Sequence, residues 1–222
     1  MTSPGGPRIE PDHLVVAARC LEEGVAWCEA TLGVLPTAGG RHPAMATHNR
    51  VLALGSSRFP RTYLEIIAID PQAPPVRARW FDLDLPAVRA AIAVAPRLVH
   101  WVARCDDLEA AVAALRAAGH EPGPAFAAER MTAHGLLRWR IAVRDDGHRL
   151  AGGALPLLIE WAGAHPCDTL ADSGVSLERL EIAGDAADLA AWLGASRGPL
   201  GAPPLAVSLA TPRGRVALSA LG

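Results

Sequence analysis

Two short apolar runs, "HLVVAA" from His13 and "HWVA" from His100, are rich in β-branched or aromatic residues, and each precedes a longer stretch with apolar positions at helical spacing. Those stretches, "LEEGVAWCEATLG" and "LEAAVAALRAAG", both end at glycine, the residue favoured just past a helix C-terminus. The pattern predicts strand then helix, twice. The two segments also align without a gap: His13 falls on His100, Val15 on Val102, Leu21 on Leu108, Glu22 on Glu109, Val25 on Val112, Ala26 on Ala113 and Ala30 on Ala117. After the first helix come "VLPTAGG", "HNRVLALG" and "TYLEIIAI"; after the second come "HEPGPAFAA", "GLLRWRIAV" and "LPLLIEWA". Each set reads as strands separated by turn residues. The chain therefore contains a repeat, and each copy is βαβββ.

This pattern places a first module with its N-terminal tail over residues 1–70 and a crossover linker with a short helix over 71–97. A second module covers 98–162 and a C-terminal remainder 163–222. In the remainder, "GVSLERLEIAG", "DAADLAAWLGA", "PPLAVSLATP" and "GRVALSALG" read as strand, helix, strand, strand. The expected fold class is α+β: paired βαβββ modules forming a cup-shaped sheet, plus a partial βαββ unit with a packing or dimer role, so that a homodimer is an expected assembly.

Polar residues interrupt the apolar runs at related places. His13 and His100 open the first strand of each copy, and Glu65 and Glu160 sit in the last strand, 52 and 60 residues after their histidines. An ionised, unpaired carboxylate away from water costs several kcal/mol or more. Two imidazoles and two carboxylates brought together would make a mixed nitrogen and oxygen site for a divalent zinc, nickel, iron or manganese ion, and the cation would offset that cost.

Composition narrows the function. Half of the 222 residues are apolar, enough for a sizeable core. A formal charge of −2 with no basic patch argues against nucleic acid as partner, and no apolar run approaches the length of a membrane span. The N-terminal stretch lacks a secretory pattern, so a cytoplasmic location is expected. Cysteines 20, 28, 105 and 167 are scattered, as suits reduced thiols. All 21 basic residues are arginine, which excludes lysine Schiff-base chemistry and a Walker-type phosphate loop.

The strand motifs "DHLVVAA", "YLEII", "LVHWVARCDDLEAA" and "LLIEW" resemble those of the vicinal oxygen chelate superfamily, over roughly residues 10 to 162. This superfamily includes glyoxalase I, extradiol dioxygenases and methylmalonyl-CoA epimerase. Within it, "GGRHPAMATHNRVLALG" and "YLEIIAID" look most like the glyoxalase-like domain proteins. The resemblance implies a cup with metal ligands His13, Glu65, His100 and Glu160, and a lyase or isomerase acting on a small oxygenated substrate through an enediolate-type intermediate. Glu65 or Glu160 would then leave the metal to serve as general base. An extradiol-type dioxygenase would use His13, His100 and Glu160 as an iron triad. The long linker and the C-terminal unit are not features of compact glyoxalase I. A different class remains open, a metal-free protein that sequesters a small ligand, with Trp101, Trp139 and Trp161 stacking on it.

Other residues have two readings each. Arg138 and Arg140 alternate and so share one face; facing the cup they would bind a carboxylate or phosphate, and facing out they are solvated. His48 and Asn49 near the start of a strand are either substrate contacts or turn residues. His134, His148 and His165 fall in loops and are expected to be exposed.

Overall fold

The computed structural model describes residues 6–220. The strands are β1 (Ile9–Ala17), β2 (Thr37–His42), β3 (Thr47–Ala53), β4 (Tyr63–Ile69), β5 (Arg97–Cys105), β6 (Ala125–Thr132), β7 (Gly135–Ala142), β8 (Leu157–Trp161), β9 (Ser176–Ile182), β10 (Ser196–Arg197), β11 (Leu205–Thr211) and β12 (Gly214–Ser219). The helices are α1 (Leu21–Leu32), α2 (Pro86–Val94) and α3 (Leu108–Ala117).

Eight strands form one sheet in the order β2-β3-β4-β1-β5-β8-β7-β6. In each copy the first and last strands pair in parallel, β1 with β4 and β5 with β8, and the two copies join through antiparallel β1 and β5. The result is the α+β cup expected from the repeat, with a second, four-stranded sheet in the order β10-β9-β11-β12.

Alternation along the strands sends side chains to two cores. Val15, Ala17, Ile67, Val102, Trp139 and Ile159 line the concave face, together with Trp80 and Phe81 from the crossover segment. Leu14, Val16, Leu64, Trp101 and Leu158 face outward, where helix residues such as Cys28, Leu32, Leu108 and Leu115 cover them. Helix α1 lies tight on the sheet: a Cβ on Gly24 would collide with Ile66, which is why a poor helix former stands inside it. Asp107 caps α3 by accepting from the Ala110 amide at 2.9 Å.

The C-terminal sheet packs Leu177, Leu180, Ile182, Leu205, Val207 and Leu209 into the same outer core. Here the expectation of a full helix over "DAADLAAWLGA" is corrected: the segment makes a 3₁₀ turn over Gly184–Leu189 and then irregular turns. A helix this short is marginal by itself, so packing decides, and here Ala186, Ala187 and Ala190 are buried. Among the described residues no helix is long and apolar enough to cross a membrane.

Candidate active site in the cup

The first module builds the polar end of the cup. His13 on β1 pairs in register with Tyr63 on β4, and the two rings stack with centroids 4.5 Å apart. Two residues along β4, on the same face, stands Glu65, buried. Its two oxygens see two imidazoles: His13 Nε2 is 3.8 Å from Oε2, and His42 Nε2 is 3.8 Å from Oε1. Asn49 on β3 donates Nδ2 to Oε1 at 2.5 Å, while its own oxygen accepts from the Gly40 amide at 2.6 Å and from Arg130 Nη1 at 3.4 Å.

Behind His13 lies Asp12, fully buried. It accepts from His13 Nδ1 at 2.6 Å, from His165 Nε2 at 2.9 Å and from Trp161 Nε1 at 3.1 Å. Burial alone would raise the Asp12 pKa, but the two histidine hydrogen bonds win and hold it well below the usual carboxylate range. An ionised Asp12 accepts only, so His13 must carry its proton on Nδ1 and present Nε2 to the cup. Burial pushes His42 down to about 4 and, helped by the Asp12 and Glu65 charges, holds the Tyr63 hydroxyl protonated well above its ordinary range. The pocket so formed has Trp139, Ile141, Ile159 and Trp161 as its opposite wall.

The four residues expected to share a metal are not gathered in one place. Val15 pairs with Glu65, whereas its repeat equivalent Val102 pairs with Leu157, so the position matching Glu65 is a leucine. Glu160 stands three residues further on, an odd offset that turns it to the outer face. There it accepts from the Leu108 amide at 3.3 Å at the start of α3 and lies 3.5 Å from Arg140. It serves the helix N-terminus, not the cup. His100 does face inward, but it is sealed beneath Phe81, with ring centroids 5.3 Å apart, and both its nitrogens lack a hydrogen-bond partner. Burial, then the Arg149 charge, pushes its pKa down to about 3. The same separation dissolves the alternative iron triad of His13, His100 and Glu160.

Among the described residues no group of three or more His, Cys, Asp or Glu is placed to hold a metal ion. The nearest donor set, His13, His42 and Glu65, is too widely spaced: ligands about 2.1 Å from one tetrahedral ion stand about 3.4 Å apart, against 3.8 Å for each histidine–glutamate pair here. As arranged, these residues do not fit a divalent ion.

Arg138 and Arg140 also point outward, pairing with Glu129 and Glu109. The inward arginine is Arg130, on β6, in the alternating series Phe126, Ala128, Arg130. Of the neighbours His48 and Asn49, only Asn49 reaches the pocket; His48 lines a groove on the other side of the sheet. His165 is buried, a correction to its expected exposure, because Asp12 draws it in from the loop after β8. Trp101 belongs to the outer core, its indole donating to Ala154 O at 3.0 Å, while Trp139 and Trp161 line the cup. Sequence reasoning missed Asp12, Tyr63, His42 and Arg130 as site residues. For Tyr63 the signal was present, since period two puts it on the face of Glu65.

A family model for the glyoxalase-like domain matches residues 12–197. The chain belongs to that family. A hypothetical protein from Staphylococcus aureus is similar over 96% of this chain and 86% of its own, at 13% identity and a TM-score of 0.58. Methylmalonyl-CoA epimerase from Streptomyces coelicolor is 19% identical over 70% of this chain and 96% of its own, with a TM-score of 0.43. The Mycobacterium tuberculosis epimerase is 17% identical over 74% and 93%, with a TM-score of 0.41. A comparison with curated proteins finds no match. Within this glyoxalase-like cup, Glu160→Gln is expected to leave any activity within about threefold of the parent and to lower stability by about 1 kcal/mol or less. Urea unfolding beside an activity assay checks both, and a loss of activity without a loss of fold would return Glu160 to the site.

Proposed function

We propose that the cup is the active site of a lyase or isomerase that moves a proton at a carbon beside a carbonyl of a small oxygenated substrate. The observation that carries this reading is the line Asp12, His13, Glu65. Asp12 holds the Nδ1–H of His13, so Nε2 faces the Glu65 carboxylate 3.8 Å away in a buried pocket. A ring nitrogen and a carboxylate facing one space can each take a proton from, or return it to, a substrate carbon held between them. Glu65 acts as the base that removes the proton from carbon, and His13 receives or returns it. Tyr63, kept protonated, lines the same pocket and can donate to the oxygen on which charge develops. Because the donor spacing does not suit a divalent ion, no step is assigned to one.

The test is exchange of carbon-bound hydrogen for deuterium in D2O, followed by NMR over a panel of 2-oxo acids and aryl ketones. The parent protein should catalyse exchange of at least one probe and keep doing so in EDTA. His13→Gln should lower the rate by about a hundredfold or more. If exchange disappears with the chelator and returns with a divalent ion, the metal-free reading is wrong. If no probe exchanges, the cup is a binding site.

A further inference from the structure

Beside the pocket lies a second, more apolar recess lined by Met45, Trp80, Phe126, Ala128 and Trp139, which shares His42, Trp80 and Trp139 with the first. At the other side of the pocket stands Arg130. Among the described residues Arg130 has no carboxylate within ion-pairing distance, unlike Arg138 and Arg140 on the neighbouring strand, and its one hydrogen bond is the 3.4 Å contact to Asn49. The backbone makes room for it, since a Cβ on Gly40 would collide with the guanidinium. Strand β6 thus presents an apolar end, Phe126 and Ala128, to the recess and a cationic end, Arg130, to the adjoining pocket, the two sharing His42, Trp80 and Trp139 as walls.

We infer that the cup takes a monoanionic carboxylate with an aromatic or branched apolar tail. The carboxylate pairs with Arg130, and the tail lies in the recess between Trp80, Phe126 and Trp139. The inference rests on the proton-transfer reading only in placing the reacting carbon between these two ends, beside His13 and Glu65. A guanidinium without a carboxylate partner, at the edge of an apolar pocket, is satisfied best by a planar anion that accepts two hydrogen bonds. The tail contributes through area removed from water, and aromatic walls favour a flat one.

Calorimetric titration with 4-phenylbutyrate, 4-phenylbutyramide and butyrate separates the two ends. The parent should bind phenylbutyrate about tenfold or more tightly than the amide or the short acid. Arg130→Gln should equalise acid and amide while keeping the preference for the phenyl tail. Ala128→Phe, which fills the recess from an edge strand, should equalise phenylbutyrate and butyrate. Equal affinity of the parent for acid and amide, or no binding of phenylbutyrate at millimolar concentration, overturns the inference. None of these titrations needs turnover. An intact acid preference without deuterium exchange therefore removes the proton-transfer reading alone, and exchange without that preference removes this one alone.

Discussion

Asp12→Asn should lower deuterium exchange by two to four orders of magnitude, by analogy with other aspartates that set a histidine tautomer, in a protein that still folds. In the parent, Asp12 accepts from three donors at once, His13, His165 and Trp161. An asparagine offers one oxygen and turns an amide toward the remaining donors. His13 can then satisfy its Nδ1 by accepting from that amide, which fixes its proton on Nε2 and leaves that nitrogen unable to receive one. The charge pattern of the site reverses while its shape stays. Asp12→Ala goes further, because it leaves buried donors without an acceptor, and a loss of about 3–5 kcal/mol in folding stability is expected. Exchange kinetics with urea unfolding on both variants checks the pair. An Asp12→Asn protein within threefold of the parent rate would show that the tautomer of His13 is irrelevant and with it the proposed relay.

The second large effect concerns acid stability. His100 is neutral in the folded chain down to about pH 3, whereas in the unfolded chain it protonates near its ordinary value of about 6.5. Below that value the unfolded state binds a proton that the folded state refuses. Stability contributed by the neutral form is therefore complete above about pH 6.5 and is lost as pH falls toward the folded pKa, by about 1.4 kcal/mol per pH unit. His42, lowered to about 4, acts in the same direction. His100→Leu should remove about 3 kcal/mol of the difference in unfolding free energy between pH 7 and pH 4.5. At pH 7 it should be neutral or stabilising, since two buried nitrogens without partners disappear. Urea unfolding at the two pH values measures this. An unchanged difference would mean that His100 titrates in the folded chain.

How much of this was legible in the sequence follows from where each signal lives. The duplicated strand and helix are local patterns, and parallel pairing of first and last strands puts His13 beside Tyr63 and two positions from Glu65. Glu160 misled because the connection from β7 to β8 is longer than that from β3 to β4, and counting between motifs does not fix register. Only the pairing of Val102 with Leu157 shows that the glutamate is displaced by an odd number of residues. His100 sits where the repeat predicts, and its burial is decided by the irregular crossover segment that carries Phe81. Phe81 and Asp82 adopt left-handed backbone angles, φ of 61° and 60°, and the Asp82 carboxylate anchors them to Arg149 at 2.6 Å and His148 at 2.9 Å. No periodicity announces such a strap. The pull of Asp12 on His165 is likewise a contact across 153 positions.

The two halves of the duplication have parted in kind. The groups that can hold or pass a proton, His13, Tyr63 and Glu65, all come from the first copy, while the second supplies Ile141, Ile159, Trp139 and Trp161. One half is a reagent and the other a mould. A change of shape at Trp139, Ile141 or Ile159 can widen, narrow or tilt the space offered to a ligand without touching the Asp12, His13 and Glu65 line, so choice of substrate and rate of chemistry become separately adjustable. A symmetrical site, with working residues drawn equally from both copies, would couple the two.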